Sequence, residues 1–213
     1  MVVIGILIAI QLDDLNDRRK ERDLEMKILQ EIIQNIQTDF EDHNQNLQFM
    51  RNTVRASEVV LNHLENRLPY KDSLDGHFVW LAIIPDFYSL KSGYQLLTSK
   101  GVNLIGNDSL RQDISFLYDN TYPWIEDWFI FLKGNSYRLL TENMVAKFYD
   151  LNPLDSYKPR NYKGLQDDEE FQSYVQFNMS YFQAFMTSYE ERLKEVHLLE
   201  ERIEKEIEFL SSE

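Results

Sequence analysis

The chain has 213 residues, with 36 Asp and Glu against 22 Lys and Arg, and its formal net charge is −14. This balance argues against nucleic acid as a partner, because phosphate binding depends on clustered cations. There is no cysteine, which excludes a disulfide framework, a thiolate nucleophile and cysteine-ligated zinc. Because 43% of its residues are apolar, the chain can bury a sizeable core.

An uncharged apolar stretch, residues 1–12, opens the chain. We interpret it as the C-terminal half of a transmembrane helix, because nine helical residues reach only about 14 Å against a hydrocarbon core of about 30 Å. No basic segment precedes it and no Ala-x-Ala site follows it, so a signal peptide fits poorly. The alternative is a buried N-terminal core helix. The residues predicted to contact the membrane are Val2, Val3, Ile4, Ile6, Leu7, Ile8 and Ile10.

The next segment predicts a long stalk helix over residues 13–68. Alternate steps of three and four residues from Leu12 to Leu68 meet 17 positions, of which 13 are apolar. That pattern is the heptad repeat of a coiled coil, and Pro69 ends it. His43 occupies one of these positions, where we expect a satisfied buried histidine, with a pH-sensitive contact as the alternative.

Basic side chains follow the apolar stretch within the stalk helix. Lys and Arg beside a membrane extend their charged ends toward lipid headgroups, and we expect that behaviour here. The juxtamembrane basic residues are Arg18, Arg19, Lys20 and Arg22.

Shorter helices are predicted between the stalk and the last helix. Ser92 is the expected N-cap of one helix and Gly101 its C′ residue with positive φ, and Asn107 or Asp108 caps the next. Asn152 to Gly164, with two prolines, reads as a connecting loop. The predicted regions are short capping helices at 70–106, middle helices at 107–150 and a terminal helix at 167–211.

The terminal helix begins at Asp167 or Asp168, because carboxylates there favour a helix N-terminus. Its apolar side chains from Phe182 to Leu210 recur about every 3.5 residues, which matches the stalk helix. Residues 167–213 contain 13 acidic and 4 basic side chains, and we interpret this run as a solvated acidic face. The sequence therefore predicts an all-α fold, an elongated antiparallel helical bundle with coiled-coil-like long first and last helices, in which residues 13–213 form a single domain.

Motifs for catalysis are missing from the sequence. There is no His-Glu-x-x-His, no Glu-x-x-His pair for a di-iron bundle, no phosphate loop and no Gly-x-Ser-x-Gly elbow. We therefore expect no enzyme activity, no catalytic residues, no metal site and no cofactor.

Three residues are candidate contacts for a ligand or partner. Arg111 is a candidate contact for an anionic ligand, and its structural alternative is pairing with a buried carboxylate. Trp124 and Trp128 belong to an aromatic cluster whose alternative is a bulky core.

Several segments carry a resemblance. They lie at 2–11, 16–20, 92–97, 99–105, 107–111 and 168–171. The first two are similar to the membrane-to-stalk junction of a bacterial family of uncharacterised single-span membrane proteins, known only as a domain of unknown function. The next three are similar to the central signature of that family, and the last to the start of its terminal helix. The chain departs from that family in lacking the front half of the span, and at residues 12–15, where members more often carry Asn and Trp.

The resemblance implies an N-terminal span, a long helical stalk and a helical bundle at the bacterial cytoplasmic membrane, with the bundle facing the periplasm. The positive-inside rule would place the basic residues in the cytoplasm, but it compares two flanks and only one is present. The expected function is a membrane-anchored structural or interaction module. Its expected partners are the lipid bilayer and either further copies of itself, as a homo-oligomer, or another membrane protein. The alternative is an extracytoplasmic ligand-sensing helical module.

Overall fold

The computed structural model describes residues 2–83, 85–152 and 155–212. Two long helices dominate them: α1 spans Val2–Glu65 and α8 spans Glu169–Ser212. The predicted all-α helical bundle with long first and last helices is confirmed. The described residues contain one sheet, of two short strands.

The elements between α1 and α8 are short. They are α2 (Leu74–Trp80), α3 (Ser92–Lys100), a 3₁₀ turn (Val102–Leu104), α4 (Asp108–Phe116), a π turn (Leu117–Thr121), α5 (Tyr122–Arg138), a second π turn (Leu139–Met144), α6 (Val145–Lys147), β1 (Phe148–Asn152), β2 (Ser156–Pro159) and α7 (Tyr162–Gln166).

The C-terminus of α1 lies three residues before the predicted end at Leu68. Arg67 adopts a left-handed conformation with φ 53°. Its N–H donates to the Leu64 carbonyl and the Leu68 N–H donates to the His63 carbonyl. These two bonds form a Schellman cap, and Pro69 directly after it prevents the helix from resuming.

The middle of the chain differs from the two separate helices expected there. The helical backbone continues from Asp108 to Lys147 and includes both π turns. The first π turn comes just before Pro123, and the Tyr122 N–H donates to the Leu117 carbonyl. A proline lacks an N–H and crowds the carbonyl four residues earlier, so a locally wider turn lets the helix pass this residue without ending.

Residues 148–152 and 156–159 form two paired strands where the sequence predicts the end of a helix and a loop. β1 and β2 pair antiparallel, with Leu151 opposite Tyr157 and Asn152 opposite Ser156. Phe148 and Tyr157 are buried. Aromatic residues favour strands, and a residue before proline, such as Asn152, is pushed to extended backbone, so local preference ends the helix at Lys147.

The chain forms two compact units. The single domain expected over residues 13–213 stays a prediction. Unit 1 comprises Met1–Phe40, Ser89–Tyr122 and Leu193–Glu213. Unit 2 comprises Glu41–Tyr88 and Pro123–Arg192.

In unit 1, α1 and α8 run antiparallel, with Gln37 donating to Glu200 over 2.9 Å. The segment from Ser89 to Tyr122 packs on them, and the Tyr94 and Tyr118 rings stack with centroids 4.5 Å apart. The buried apolar side chains of this unit include Ile28, Leu29, Ile32, Ile36, Leu97, Ile105, Leu110, Ile114, Val196, Leu199 and Ile203.

In unit 2, α1 and α8 are again antiparallel, with an ion pair of Arg51 and Glu190 between them at 2.7 Å. Just beyond the two helices, Arg67 pairs with Asp167 at 2.6 Å. Asp168 is the N-cap of α8 and accepts from the Phe171 N–H over 2.9 Å. Every predicted heptad position of α1 in this unit up to the cap is buried: His43, Leu47, Met50, Val54, Ser57, Leu61 and Leu64.

Candidate functional site

The start of α1 exposes apolar side chains. The exposed fractions are 61% for Ile4, 51% for Ile10, 61% for Leu12 and 62% for Leu15. The other side chains predicted to contact the membrane fall outside the described ones: Val2, Val3, Ile6, Leu7 and Ile8. In the part of the chain that the structure describes, none of the helices has a stretch long and apolar enough to cross a bilayer.

A cleft of about 1130 Å³ in unit 1, which we call the basic cleft, lies beside this exposed end. One wall is formed by α1, with eight lining residues between Leu12 and Glu25. The facing wall is the turn from Lys100 to Gly106, and Leu210 of α8 completes the lining. The cleft is lined by Leu12, Leu15, Asn16, Arg18, Arg19, Glu21, Arg22, Glu25, Lys100, Gly101, Asn103, Leu104, Gly106 and Leu210.

Three of the four predicted juxtamembrane cations line the basic cleft, and Lys100 joins them from the facing wall. The fourth, Lys20, does not line it and pairs with Asp17 at 2.9 Å. Among the described residues, no carboxylate forms an ion pair with any of the four cleft cations. The Nε of Arg22 is buried and has no hydrogen-bond partner there. The cleft therefore offers cationic donors without intramolecular acceptors.

Glu25 forms the inner end of the basic cleft and is only 7% exposed. Its Oε1 accepts from the Gly106 N–H over 2.8 Å. Burial raises the pKa of the Glu25 carboxyl above its usual value; the Gly106 hydrogen bond lowers it, and the nearby Glu206 raises it. Burial has the largest effect of the three, because it disfavours the negative charge of the carboxylate.

Two further buried polar side chains of α1 fix the segment that forms the facing wall. The Asn35 Oδ1 accepts from the Gly93 N–H over 3.0 Å and from the Ser92 hydroxyl over 3.1 Å. The Asp39 carboxylate accepts from the Leu90 N–H over 3.1 Å. Ser92 was the predicted N-cap of α3, but it is the first helical residue and makes no capping bond. The Asn35 side chain of α1 instead accepts from the Gly93 N–H in the first turn of α3.

The sequence did not predict these contacts. Glu25, Asn35 and Asp39 look like ordinary surface residues of an amphipathic helix, and their acceptors serve backbone N–H groups 51 to 81 residues away. The one sequence signal that could have identified them as inward-facing is their spacing of three or four residues from Ile28, Ile32 and Ile36, which are buried. Gly101, by contrast, is found with the predicted positive φ, 102°, and Asn107 caps α4 by accepting from the Leu110 N–H.

Arg111 is engaged within its own helix region. It pairs with Asp108 at 2.9 Å and donates to the Ile105 carbonyl over 3.3 Å. Its side chain is 23% exposed. Asp108 is 77% exposed, so this pair is not the buried one of the structural alternative. The structure does not bring Arg111 into the lining of the basic cleft.

Trp124 and Trp128 lie between α5 and α8 in unit 2. The Trp128 ring stacks on Phe185 with centroids 5.3 Å apart. The Arg192 guanidinium lies over the Trp124 ring at 4.1 Å, a cation–π contact. Their aromatic neighbours extend to Phe131, Phe177 and Tyr181.

A second cleft, which we call the amide cleft, measures about 360 Å³ and lies in unit 2 beside the second π turn. Asn178 is 4% exposed and donates to the Ser136 hydroxyl over 2.9 Å. The Asn178 Oδ1 and the Asn135 Nδ2 are both buried without a partner among the described residues. Within the described ranges, an acceptor and a donor thus remain unsatisfied at the same cleft, which the exposed Arg138 also lines.

His43 is a buried histidine, as expected. It is fully buried, its Nδ1 is hydrogen-bonded to the Tyr189 hydroxyl, and its ring lies 4.3 Å from that of Phe87. Burial lowers the pKa of His43 to about 3, so the ring is neutral at physiological pH.

Within the described ranges, no group of three or more His, Asp or Glu side chains is arranged to hold a metal ion. The chain was compared with known protein families, with curated proteins and with solved structures, and none of the three comparisons gave a match. The resemblance to the bacterial single-span family therefore stays a prediction.

Proposed function

We propose that the protein is a non-enzymatic helical-bundle module that attaches to a lipid bilayer through the start of α1 and presents its bundle to protein partners. The observation that carries this proposal is the sequence of surfaces along α1. Exposed Ile4, Ile10, Leu12 and Leu15 are followed on the same helix by four basic residues, Arg18, Arg19, Lys20 and Arg22. Apolar side chains next to Lys and Arg form the usual combination of a membrane-contacting helix end.

Burial of the isoleucines in lipid supplies the attachment. Moving an exposed Ile side chain out of water contributes roughly 1.5–3 kcal/mol. The basic residues add attraction to an anionic surface, about 1 kcal/mol for each Lys or Arg near it. Membrane attachment at the cytoplasmic membrane of a bacterium, with the bundle in the periplasm, is the setting that the family resemblance implies.

Vesicle flotation tests the attachment. The double variant Ile4→Asn with Ile10→Asn removes apolar surface from side chains that are already exposed, so folding is undisturbed. We expect its partition onto phosphatidylcholine vesicles to fall at least about tenfold. Ile130→Asn is the matched control, because Ile130 is 67% exposed on α5. If the double variant floats with vesicles as wild type does, the attachment proposal is wrong.

The partner side of the proposal is supported by an exposed aromatic surface in unit 2. Phe131 and Phe177 are 41% and 46% exposed, and both rings contact Tyr181, with centroids 5.1 and 4.5 Å apart. Exposed contiguous apolar surface is typical of protein interfaces. We propose a second copy of the chain or another membrane protein as its partner, and a sedimentation series in which wild type stays monomeric at every concentration would count against self-association.

A second candidate function, ligand sensing, is favoured by the amide cleft. A small amide or amino acid would satisfy both the Asn135 donor and the Asn178 acceptor, which are buried and have no partner among the residues that the structure describes. Thermal unfolding measured with a library of such compounds tests it, because a ligand at 100 times its dissociation constant adds about 2.7 kcal/mol. A midpoint that none of the compounds shifts would leave the interaction module as the proposed function.

A further inference from the structure

The basic cleft concentrates positive charge in a strongly acidic protein. The chain has a net charge of −14, yet the cleft is lined by four cations and two carboxylates. One of the two, Glu25, is buried. The cations come from distant parts of the chain, since Lys100 lies on a different wall from Arg18, Arg19 and Arg22. Folding therefore assembles this positive site, and the polybasic segment alone does not make it.

The chemistry of the cleft selects an oxyanion. Guanidinium groups donate in a planar fork that matches phosphate and carboxylate oxygens. The buried Arg22 Nε has no partner within the described part of the chain, and burying a charged donor without an acceptor is costly. A ligand with several anionic oxygens would supply the missing acceptor and neutralise the cations that face one another across the cleft.

Apolar groups frame the same cleft. Leu12 and Leu15 line it and are 61% and 62% exposed, and they follow the apolar start of α1. Leu104 and Leu210 line the cleft as well. A ligand with an anionic head and an apolar remainder would match both sets of side chains, whereas a free inorganic ion would contact only the cations.

We propose that the basic cleft is a specific binding site for a phosphate group, and that its natural source is the headgroup of an anionic phospholipid. This inference rests on the proposed membrane attachment and adds to it lipid selectivity at a defined site. The bound headgroup would hold the first turns of α1 and the Lys100–Gly106 turn at the membrane surface.

The test compares cleft cations with a matched cation outside the cleft. Arg22→Gln and Lys100→Gln each remove a cleft charge from a different wall. Lys20→Gln removes the same charge from the same helix turn as Arg22, but Lys20 already pairs with Asp17. Binding is measured to vesicles of phosphatidylcholine and to vesicles in which phosphatidylglycerol replaces about a third of that lipid.

We expect Arg22→Gln and Lys100→Gln each to weaken binding to the anionic vesicles by about fivefold, and Lys20→Gln by less than about twofold. None of the three should alter binding to neutral vesicles. If Lys20→Gln weakens binding as much as the other two, the attraction is diffuse and the cleft proposal is overturned, while the attachment through Ile4 and Ile10 stands. Two cleft variants guard against misfolding of either one.

A second arm separates the two sources of phosphate. Inorganic phosphate is titrated into ¹⁵N-labelled wild type and Arg22→Gln protein, with the Gly101 and Gly106 amide resonances as the readout. Saturable shifts in wild type that Arg22→Gln abolishes, without any lipid selectivity, would assign the cleft to a soluble phosphate ligand. If the cleft variants show no selective loss of vesicle binding and phosphate produces no saturable shifts, the proposal of a phosphate site in the basic cleft is overturned. If wild type binds neither kind of vesicle, the membrane proposal fails, and the phosphate arm decides the cleft by itself.

Discussion

Gly93, the second residue of α3, occupies a position where any side chain would collide with α1. A Cβ added there would lie 2.8 Å from the Ile32 backbone N and 2.9 Å from its Cγ1. The Gly93 N–H is also the donor that Asn35 accepts from. Glycine at this residue therefore permits the close approach that lets α1 and α3 share a buried hydrogen bond.

Replacing Gly93 with Ala should lower the free energy of unfolding by about 1–3 kcal/mol, because the neighbour is backbone and has little room to move. Gly134→Ala is the matched control. Nothing lies within 4 Å of a Cβ at Gly134, and Ala is favoured over Gly inside a helix by about 0.5–1 kcal/mol. Urea denaturation measures both. Equal shifts of the same sign in the two variants would show that the contact with Ile32 is not the cause.

His43 should make stability depend on pH. Its pKa is lowered to about 3 by burial, whereas in the unfolded chain an imidazole titrates near 6.5. The unfolded state therefore binds the proton first as pH falls. Stability from this residue is complete above about pH 6.5 and is lost as pH falls below it, by about 2 kcal/mol at pH 5.

Measuring the free energy of unfolding at pH 7.5 and pH 5 for wild type and His43→Gln isolates the contribution of His43, because all other titrating groups are common to both. Glutamine retains a polar group that can bond the Tyr189 hydroxyl but does not titrate in this range. The wild-type protein should lose about 2 kcal/mol more than the variant between the two pH values. Parallel profiles of unfolding free energy against pH would mean that His43 takes up its proton over the same pH range in the folded and unfolded states.

At the scale of elements, the periodicity of apolar residues predicted the two long helices, α1 and α8. The apolar spacing of α1 and α8 repeats over many turns, so tertiary packing and sequence pattern agree and both helices are found as expected. The unit 2 part of α1 buries the predicted heptad positions from His43 to Leu64. In unit 1 the pattern weakens, and Leu12, Leu15 and Arg19 lie exposed, because the packing of α1 begins only near Glu25.

Elements that depend on one or two residues were harder to predict. The continuous helical run past Pro123 requires a π turn, and such a turn has no sequence pattern of its own. The β1–β2 hairpin was missed because its strands are four and five residues long, too short for an alternating pattern to be distinguished from a loop. Helix ends with local signals, such as Gly101 and Asp168, were found correctly.

In the basic cleft, too, the residues close together in sequence were predicted and the one from a distant segment was not. Arg18, Arg19 and Arg22 were singled out from their position after an apolar stretch. Lys100 was not, because nothing in the sequence brings it to the first turns of α1. Its placement depends on acceptors in α1 that hold the Ser89–Gly106 segment, and those contacts exist only in the folded chain.

At the scale of the whole molecule, the charges are segregated. Residues 167–213 contain 13 acidic and 4 basic side chains. Some carboxylates of α8 form ion pairs with α1, as Glu190 does with Arg51. The remaining carboxylates repel one another, which destabilises a compact state of high net charge. The cleft cations, in contrast, attract an anionic surface. Salt should therefore act on folding and on membrane attachment in opposite directions.

Raising NaCl from about 10 to about 150 mM shortens the Debye length from about 30 to about 8 Å. Screening of the net negative charge should raise the free energy of unfolding by about 1 kcal/mol, because the exposed ion pairs that salt also weakens contribute only about 0–1 kcal/mol each. Over the same range the fraction bound to anionic vesicles should fall, since the attraction between the cleft cations and the surface is screened. Urea denaturation and vesicle flotation on one salt series measure both. A stability that falls together with vesicle binding would show that specific ion pairs, rather than net repulsion, dominate the electrostatics of the folded chain.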